Sequence, residues 1–172
     1  MKIVENGIPN LSESSFLTKI DSSGAYLNVP GRNPPSTEDN WNYSNIRIGA
    51  DDDFVMLAKL KIEGSGSEAQ FILNDNDNFG FDGGSNNIFA DPPSIFRTSI
   101  IVGDYNTHNN NLFYFKVERK VGTIKIFINE IEVASNTNYD VAITKFRWRP
   151  WRGTLKIYEW TISGSSFLSS TD

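Results

Sequence analysis

The feature that most constrains the fold is a repeated alternation of apolar and polar residues in short runs. From Phe54 to Ile62 every second residue is apolar, and Lys59 and Lys61 stand at alternate positions. Side chains alternate between the two faces of a β-strand, so such a run predicts a strand with one buried face. No long stretch has a clean helical period, although one helical turn is conceivable near Leu11–Leu17. Similar runs predict strands at Ala25–Val29, Ile46–Ile48, Ala69–Leu73, Phe113–Arg119, Thr123–Ile128, Ile131–Val133, Ile143–Trp148 and Thr154–Ile162.

Tight turns join three of these runs. Lys120-Val-Gly122 and Asn129-Glu130 each separate two alternating runs, which predicts three successive antiparallel strands. In the last run Leu155 and Ile157 are out of phase with Trp160, so that strand is covered on both faces or carries a bulge. Many short strands divided by turns indicate an all-β sandwich or barrel.

Long polar segments interrupt the predicted strands and are rich in Gly, Pro, Asn, Asp and Ser. A rigid sandwich with such loops usually acts through its loops or through a concave face. The segments are Pro30–Asn42, Gly64–Glu68, Asn74–Asn78, Gly83–Thr98 and Gly103–Asn111.

Size and charge limit the classes of function. The chain has 172 residues, enough for one domain with a real core, a net charge of −5 and no cysteine. The acidic balance argues against nucleic acid or an anionic membrane as the partner. Without cysteine, disulfides, thiolate metal sites and cysteine nucleophiles are excluded. The N-terminus lacks an apolar run, so the sequence shows no signal peptide. The protein is then either cytoplasmic or, as we expect, extracellular or periplasmic with its export signal removed.

Four segments together resemble a known superfamily. Their order is an aromatic Gly-Phe-Asp-Gly segment, an F-x-V-x-R strand, an apolar strand ending in Ile-Asn-Glu, and an R-P-W-R segment before a closing strand. The set is similar to the concanavalin A-like lectin/glucanase superfamily, and more narrowly to laminin-G-like domains found N-terminal in bacterial sialidases and related glycoside hydrolases. The segments are Phe79–Gly83, Phe113–Arg119, Ile124–Glu130 and Phe146–Ile162.

The resemblance implies a two-sheet antiparallel jelly-roll sandwich over residues 24–164. Residues 1–23 are then a lead-in segment and residues 165–172 a tail or linker. A carbohydrate-binding accessory domain of a glycoside hydrolase such as a sialidase is the implied function. Its expected partners are a glycan and a neighbouring catalytic domain of the same polypeptide. Fold analogy supplies an expectation about function and no mechanism.

Catalytic residues are not expected. Glycanases of this superfamily carry two Glu and one Asp closely spaced on one strand, and this string is absent. The only histidine, His108, lies in an Asn-rich loop without a nucleophile motif. The chain is therefore predicted not to be an enzyme. Two alternatives stay open: a polysaccharide hydrolase or lyase with carboxylates on separate strands, and a purely structural or interaction domain.

One segment suggests a metal. Asn74-Asp-Asn-Asp-Asn78 offers hard oxygen ligands, with Asp75 and Asp77 as candidate ligands of a structural Ca²⁺. The spacing does not fit an EF-hand loop. Asx turns that close a hairpin are the alternative interpretation.

The sugar site is predicted around the R-W-R-P-W-R segment. Alternation separates Trp148 from Arg147 and Arg149 until Pro150 ends the strand. A tryptophan ring stacks on a sugar, and guanidinium groups donate to hydroxyls or a carboxylate. The alternative is that one Trp is core and the arginines pair with neighbours. The candidate sugar-binding residues are Trp151, Arg149 and Arg152, with Trp41 and Tyr43 as a second platform and Asp82 as a further contact.

Overall fold

The computed structural model describes residues 18–31, 41–43, 46–64, 68–74, 77–82, 87–91, 110–164 and 168–169. Every regular element in these ranges is a β-strand, and none of the described segments forms a helix that could cross a lipid bilayer. The strands are β1 (Thr18–Asp21), β2 (Gly24–Pro30), β3 (Trp41–Tyr43), β4 (Ile46–Arg47), β5 (Phe54–Glu63), β6 (Glu68–Leu73), β7 (Asp77–Asp82), β8 (Asn87–Asp91), β9 (Phe113–Lys120), β10 (Thr123–Ile128), β11 (Ile131–Asn136), β12 (Phe146–Trp151), β13 (Thr154–Gly164) and β14 (Leu168–Ser169).

Two antiparallel sheets build the sandwich. The larger sheet has seven strands in the order β1-β2-β13-β5-β9-β10-β11, and the smaller has five in the order β3-β12-β6-β7-β8. The short strands β14 and β4 form a separate pair. This architecture confirms the prediction of an all-β, two-sheet antiparallel jelly-roll sandwich.

Aromatic side chains fill the space between the sheets. The ring centroid of Phe71, in the smaller sheet, lies 5.1 Å from that of Phe115 in the larger sheet and 5.0 Å from that of Trp148. Edge and tilted contacts of this kind suit ring quadrupoles and add to the burial of apolar area. Phe146 bridges to Trp160 at 5.8 Å near one end of the core. The apolar side chains of the alternating runs therefore point inward as predicted, because each sheet buries one face against the other sheet.

The predicted hairpins are confirmed. β9 pairs with β10, and β10 pairs with β11, through the two predicted turns. Of the two alternatives for the last strand, a bulge is present: the register between β13 and β5 shifts between Ile157 and Glu159. One extra residue at this point returns Trp160 to the buried side together with Ile157.

Four predictions about loops and strand ends are wrong. Strands β3, β7 and β8 lie partly or wholly in segments that composition assigned to loops, because cross-strand pairing outweighs the weak strand preference of Asn, Asp and Gly. Pro150 does not end its strand; β12 continues to Trp151. Among the described strands only β6 pairs with β12 at Pro150, and such an edge position tolerates proline.

Two strands lie outside the predicted sandwich boundaries. β1 falls within the predicted lead-in and pairs with β2, and β14 falls within the predicted tail and pairs with β4. The helical turn suggested near Leu11–Leu17 and the loop histidine His108 lie outside the described residues.

Candidate functional site

The outward side of the smaller sheet, here called the outer face, gathers polar and aromatic side chains. On β12 the residues Arg147, Arg149 and Trp151 alternate with buried Phe146, Trp148 and Pro150. Their cross-strand partners on β6 are Ile72, Gln70 and Glu68. All of these outward residues except Ile72 are partly exposed. The predicted separation of Trp148 from Arg147 and Arg149 is thus confirmed, and Trp148 is a core residue, as the alternative interpretation has it for one Trp.

Arg149 is held in a defined position by Gln70. Its Nε donates to Gln70 Oε1 at 2.8 Å, and its Nη2 donates to the same oxygen. Burial and then the neighbouring Arg147 lower the pKa of Arg149, but a guanidinium stays protonated in proteins. None of the described carboxylates forms an ion pair with Arg149. Two positive groups therefore stand side by side on this face, one of them oriented by a neutral amide.

Trp151 and Arg152 lie where the chain passes from one sheet to the other. Trp151 is partly exposed at the end of β12, and Arg152 is exposed in the two-residue connection to β13 with φ of 57°. The Arg152 carbonyl accepts from the Glu68 amide at 3.3 Å, and the Gly153 carbonyl accepts from the Gly31 amide at 2.8 Å. These backbone bonds fix the corner that presents Trp151 beside Arg149.

The outer face differs in accessibility from one end to the other. Ile72 is only 2% exposed although it points away from the core, and the Asn78 Oδ1 atom is buried without a hydrogen-bond partner. Two rows further along, Trp151 and Glu68 are partly exposed. A ligand therefore has access at the Trp151 end, and the Ile72 end is closed.

The remaining predicted sugar contacts are placed by backbone register. Trp41 and Tyr43 pair with Trp148 and Phe146, so both aromatic residues of β3 lie opposite core positions of β12. Asp82 pairs with Glu68, which in turn pairs with Trp151. The side chains of Trp41, Tyr43 and Asp82 lie outside the described part of the structure.

Only one of the two predicted calcium ligands lies in the described part of the structure. Asp75 lies outside the described residues, and the Asp77 carboxylate accepts from the Tyr139 hydroxyl at 3.1 Å. Burial and then Asp77 raise the pKa of Tyr139 well above its usual value. Asn74 Oδ1 accepts from the Thr144 amide at 2.9 Å, a contact with a segment 70 residues away and not a local Asx turn. Within the described ranges no three side chains of metal-binding type cluster, and the calcium site stays a prediction.

Sequence reasoning missed Gln70 and Glu68 as members of this face. Alternation within Ala69–Leu73 already separates Gln70 from the core residue Phe71. What was not readable is that β6 pairs with β12, which brings Gln70 opposite Arg149. Pairing between strands so distant in sequence leaves no local pattern.

Several solved structures have the same fold at low sequence identity. An alginate lyase, AlgAT5 from polysaccharide lyase family 7, superposes with a TM-score of 0.57 at 14% identity, over 90% of this chain and 84% of the lyase. The carbohydrate-binding module CBM66 from Bacillus subtilis gives 0.50 at 15%, over 88% and 97%. CG-16, a homodimeric agglutinin from chicken liver, gives 0.52 at 9%, over 72% and 99%. No protein-family model matches the chain, and no curated protein matches its sequence.

These similarities correct one prediction. The expectation that the chain is not an enzyme is wrong as it stands, because structures of this fold include lyases, a β-glucanase and a transglycosylase. Absence of one acidic string excludes one glycanase arrangement and no others. The predicted fold is confirmed, since this chain has the concanavalin A-like jelly roll that enzymes and sugar-binding proteins share.

Proposed function

We propose that the outer face is a carbohydrate-binding site for an acidic polysaccharide. The observation that carries this proposal is Arg149, fixed by Gln70 beside Arg147 and next to the partly exposed residue Trp151. A planar guanidinium donates two parallel hydrogen bonds to a carboxylate, and an indole ring stacks on the C–H face of a sugar. A uronic acid presents both of these features.

The charge of the rest of the molecule opposes a polyanion, so binding depends on the local charge of the outer face. The net charge is −5, so a polyanion is repelled by most of the surface and must be attracted locally. Arg149 supplies that attraction in the row next to Trp151, and Arg147 adds to it from the Ile72 row. Two of the similar structures have names consistent with this proposal. One is an alginate lyase, and alginate is an acidic polysaccharide; the other is a carbohydrate-binding module.

Binding of alginate oligosaccharides by calorimetry tests the site. We expect Arg149→Gln to weaken binding at least about tenfold, because loss of a charge-assisted hydrogen bond costs about 1.5–3 kcal/mol. Trp151→Ala should weaken it similarly through loss of stacking. Arg47→Gln is the matched control, since it removes one exposed positive charge on β4, outside the smaller sheet. Equal losses in Arg149→Gln and Arg47→Gln would show non-specific attraction and refute the site.

Cleavage of the bound polysaccharide is the second candidate function. The register pairs Glu68 of β6 with Asp82 of β7, in the same row as Trp151. Residues directly opposite on antiparallel strands have Cβ atoms about 4.5–5.5 Å apart, and carboxyls about 5–5.5 Å apart serve retaining glycosidases. Carboxylates contributed by separate strands are the arrangement left open by the sequence.

Product formation tests the enzymatic candidate. Neutral and acidic polysaccharides are incubated with the protein, and new reducing ends and unsaturated sugars are measured. Glu68→Gln and Asp82→Asn should each lower the rate at least about 100-fold, as expected for loss of a general acid or base. Glu159→Gln is the control, because Glu159 is exposed on the larger sheet. Full activity in both site variants would refute this assignment of the carboxylates.

The finer expectations from the resemblance remain proposals. They are the laminin-G-like subtype, attachment to a catalytic domain such as a sialidase, export from the cytoplasm and a structural Ca²⁺. Each is independent of the outer face and does not alter the experiments above.

A further inference from the structure

A depression of about 560 Å³ lies on the outward side of the larger sheet, opposite the outer face in the sandwich. It is lined by Leu57, Tyr114, Lys116, Asn129 and Glu130. Small-molecule sites commonly have about 300–1,000 Å³, so the depression is large enough for a sugar unit. Its lining comes from β5, β9 and the turn between β10 and β11.

Two apolar surfaces are accessible there. Tyr114 is 45% exposed and Leu57 is 37% exposed. The surrounding positions of the same sheet carry surface ion pairs, including Lys59 with Glu159 and Lys116 with Glu118. The ring of Tyr114, near the start of β9, is therefore exposed among charged residues and takes no part in the core.

The backbone of Tyr114 is fixed on both sides. Lys59 is its partner on β5. On the other side its amide donates to Asn129 Oδ1 at 2.9 Å, and its carbonyl accepts from the Asn129 amide at 2.9 Å. Asn129 and Glu130 hold this turn with φ of 49° and 69°. The ring is thus carried on a preorganised support, which lowers the entropy cost of binding.

The polar lining is balanced in charge. Lys116 is the cation, with its Nζ 3.8 Å from the Phe127 ring centroid, and Glu130 is the exposed anion. With an amide from Asn129, these groups offer donors and acceptors to hydroxyls without net attraction for an acid or a base. The chemistry that fits is a neutral sugar.

We propose that this depression is a second carbohydrate site, in which a neutral sugar stacks on Tyr114 and hydrogen-bonds to Lys116, Asn129 and Glu130. A protein partner is disfavoured, because the described lining offers two apolar residues, Leu57 and Tyr114, whereas stable protein interfaces bury about 1,200–2,000 Å². With one ring and a few polar groups, the expected Kd is on the order of 1 mM. This site does not rest on the function proposed for the outer face.

Amide chemical shifts during titration with cellohexaose, laminarihexaose and mannohexaose test the proposal. At least one of these neutral probes should shift the amides of Tyr114, Asn129 and Glu130. Tyr114→Ala should weaken that binding at least about tenfold, and Tyr114→Phe should retain it because the ring remains. Val121→Ala, at an exposed apolar residue outside the depression, is the control.

Three results would overturn the second site. They are no shift of these amides with any neutral probe, binding that Tyr114→Ala leaves intact, and shifts that depend on protein concentration without sugar, which would assign the depression to a contact between copies of this chain. The wild-type titration decides the matter even if Tyr114→Ala fails to fold. An alginate oligosaccharide tests the outer face separately, because its shifts should fall on Gln70 and Arg149.

Discussion

Arg119 shows how one buried charge organises the end of the sandwich. It is only 1% exposed, and its guanidinium donates to three backbone carbonyls: Asp52 at 2.9 Å, Val141 at 2.6 Å, and Gly49. Burial lowers the pKa of Arg119, and the phenol of Tyr139 and the Asp52 carboxylate oppose that shift. The side chain therefore ties the turn before β5 to the segment before β12.

Replacing Arg119 should strongly destabilise the protein. Arg119→Met keeps much of the apolar stem and removes all donors, leaving three carbonyls short of a partner. We expect a loss of about 3–5 kcal/mol in the free energy of unfolding, measured by urea denaturation.

The exposed neighbour Lys120 provides the control for Arg119. Lys120→Met should change stability by less than about 0.5 kcal/mol, as expected for a surface position. A loss below about 1 kcal/mol in Arg119→Met would mean that water replaces the guanidinium at these carbonyls.

At the scale of elements, a polar cluster holds the edge strand β1. The Asp21 carboxylate accepts from Tyr158 Oη at 2.7 Å and from Lys156 Nζ at 3.1 Å, and both partners lie on β13. Lys156 also pairs with Glu63 at 2.9 Å. These contacts reach across β2, so β1 is held by more than its own ladder.

Stability should depend on pH through this cluster. The Tyr158 hydroxyl lowers the pKa of Asp21 most, burial opposes it, and the Ser23 amide and Lys156 lower it further. Hydrogen bonds from Lys61 and Lys156 lower the pKa of Glu63. A carboxyl whose pKa is lower in the folded protein than in the unfolded chain stabilises the fold at pH values above its unfolded pKa of about 4. That contribution is lost as the pH falls through the folded pKa.

Thermal melts between pH 7 and pH 3 measure this effect. We expect Asp21→Asn to be less stable than wild type at pH 7, with the difference shrinking as the pH falls below about 4. Ser23→Ala keeps the carboxylate and its amide donor, so it should follow the wild-type profile. A difference between wild type and Asp21→Asn that stays constant with pH would contradict the role of the charge.

At the scale of the whole molecule, the two sheets meet in a close backbone contact at Gly31. A Cβ on Gly31 would lie 2.9 Å from the Gly153 carbonyl oxygen, 3.1 Å from the Arg152 nitrogen and 3.2 Å from the Pro150 carbonyl carbon. All three are backbone atoms, so no side-chain rotation relieves the contact. This approach joins the end of β2 to the corner that carries Trp151.

Gly31→Ala should therefore affect both stability and the site. We expect a loss of about 1–3 kcal/mol in unfolding free energy, as for overpacked positions, together with weaker alginate binding through displacement of Trp151. Asn28→Ala, at a partly exposed position of β2, should change stability by less than about 0.5 kcal/mol. Wild-type stability in Gly31→Ala would show that the corner moves freely.

Local pattern was sufficient for the strands with one buried face. Alternation in β5, β9 and β10 determines which residues enter the core, because a period of two allows only one choice of face. It also separated Arg147 and Arg149 from Trp148, and it indicated the bulge in β13. Strands β7 and β8 were not predicted, because Asn, Asp and Gly are typical of turns and form strands here only through pairing with neighbouring strands.

Tertiary structure alone decided which residues share a surface. Gln70 meets Arg149 across 79 positions of sequence, and Tyr114 receives its support from a turn 15 residues away. Arg119 lies at an inward position of the alternating strand β9, but the backbone carbonyls that accept its hydrogen bonds come from two distant segments. Alternation assigns a side chain to one of two faces; strand order and register, which depend on the packing of the whole sandwich, determine its neighbours.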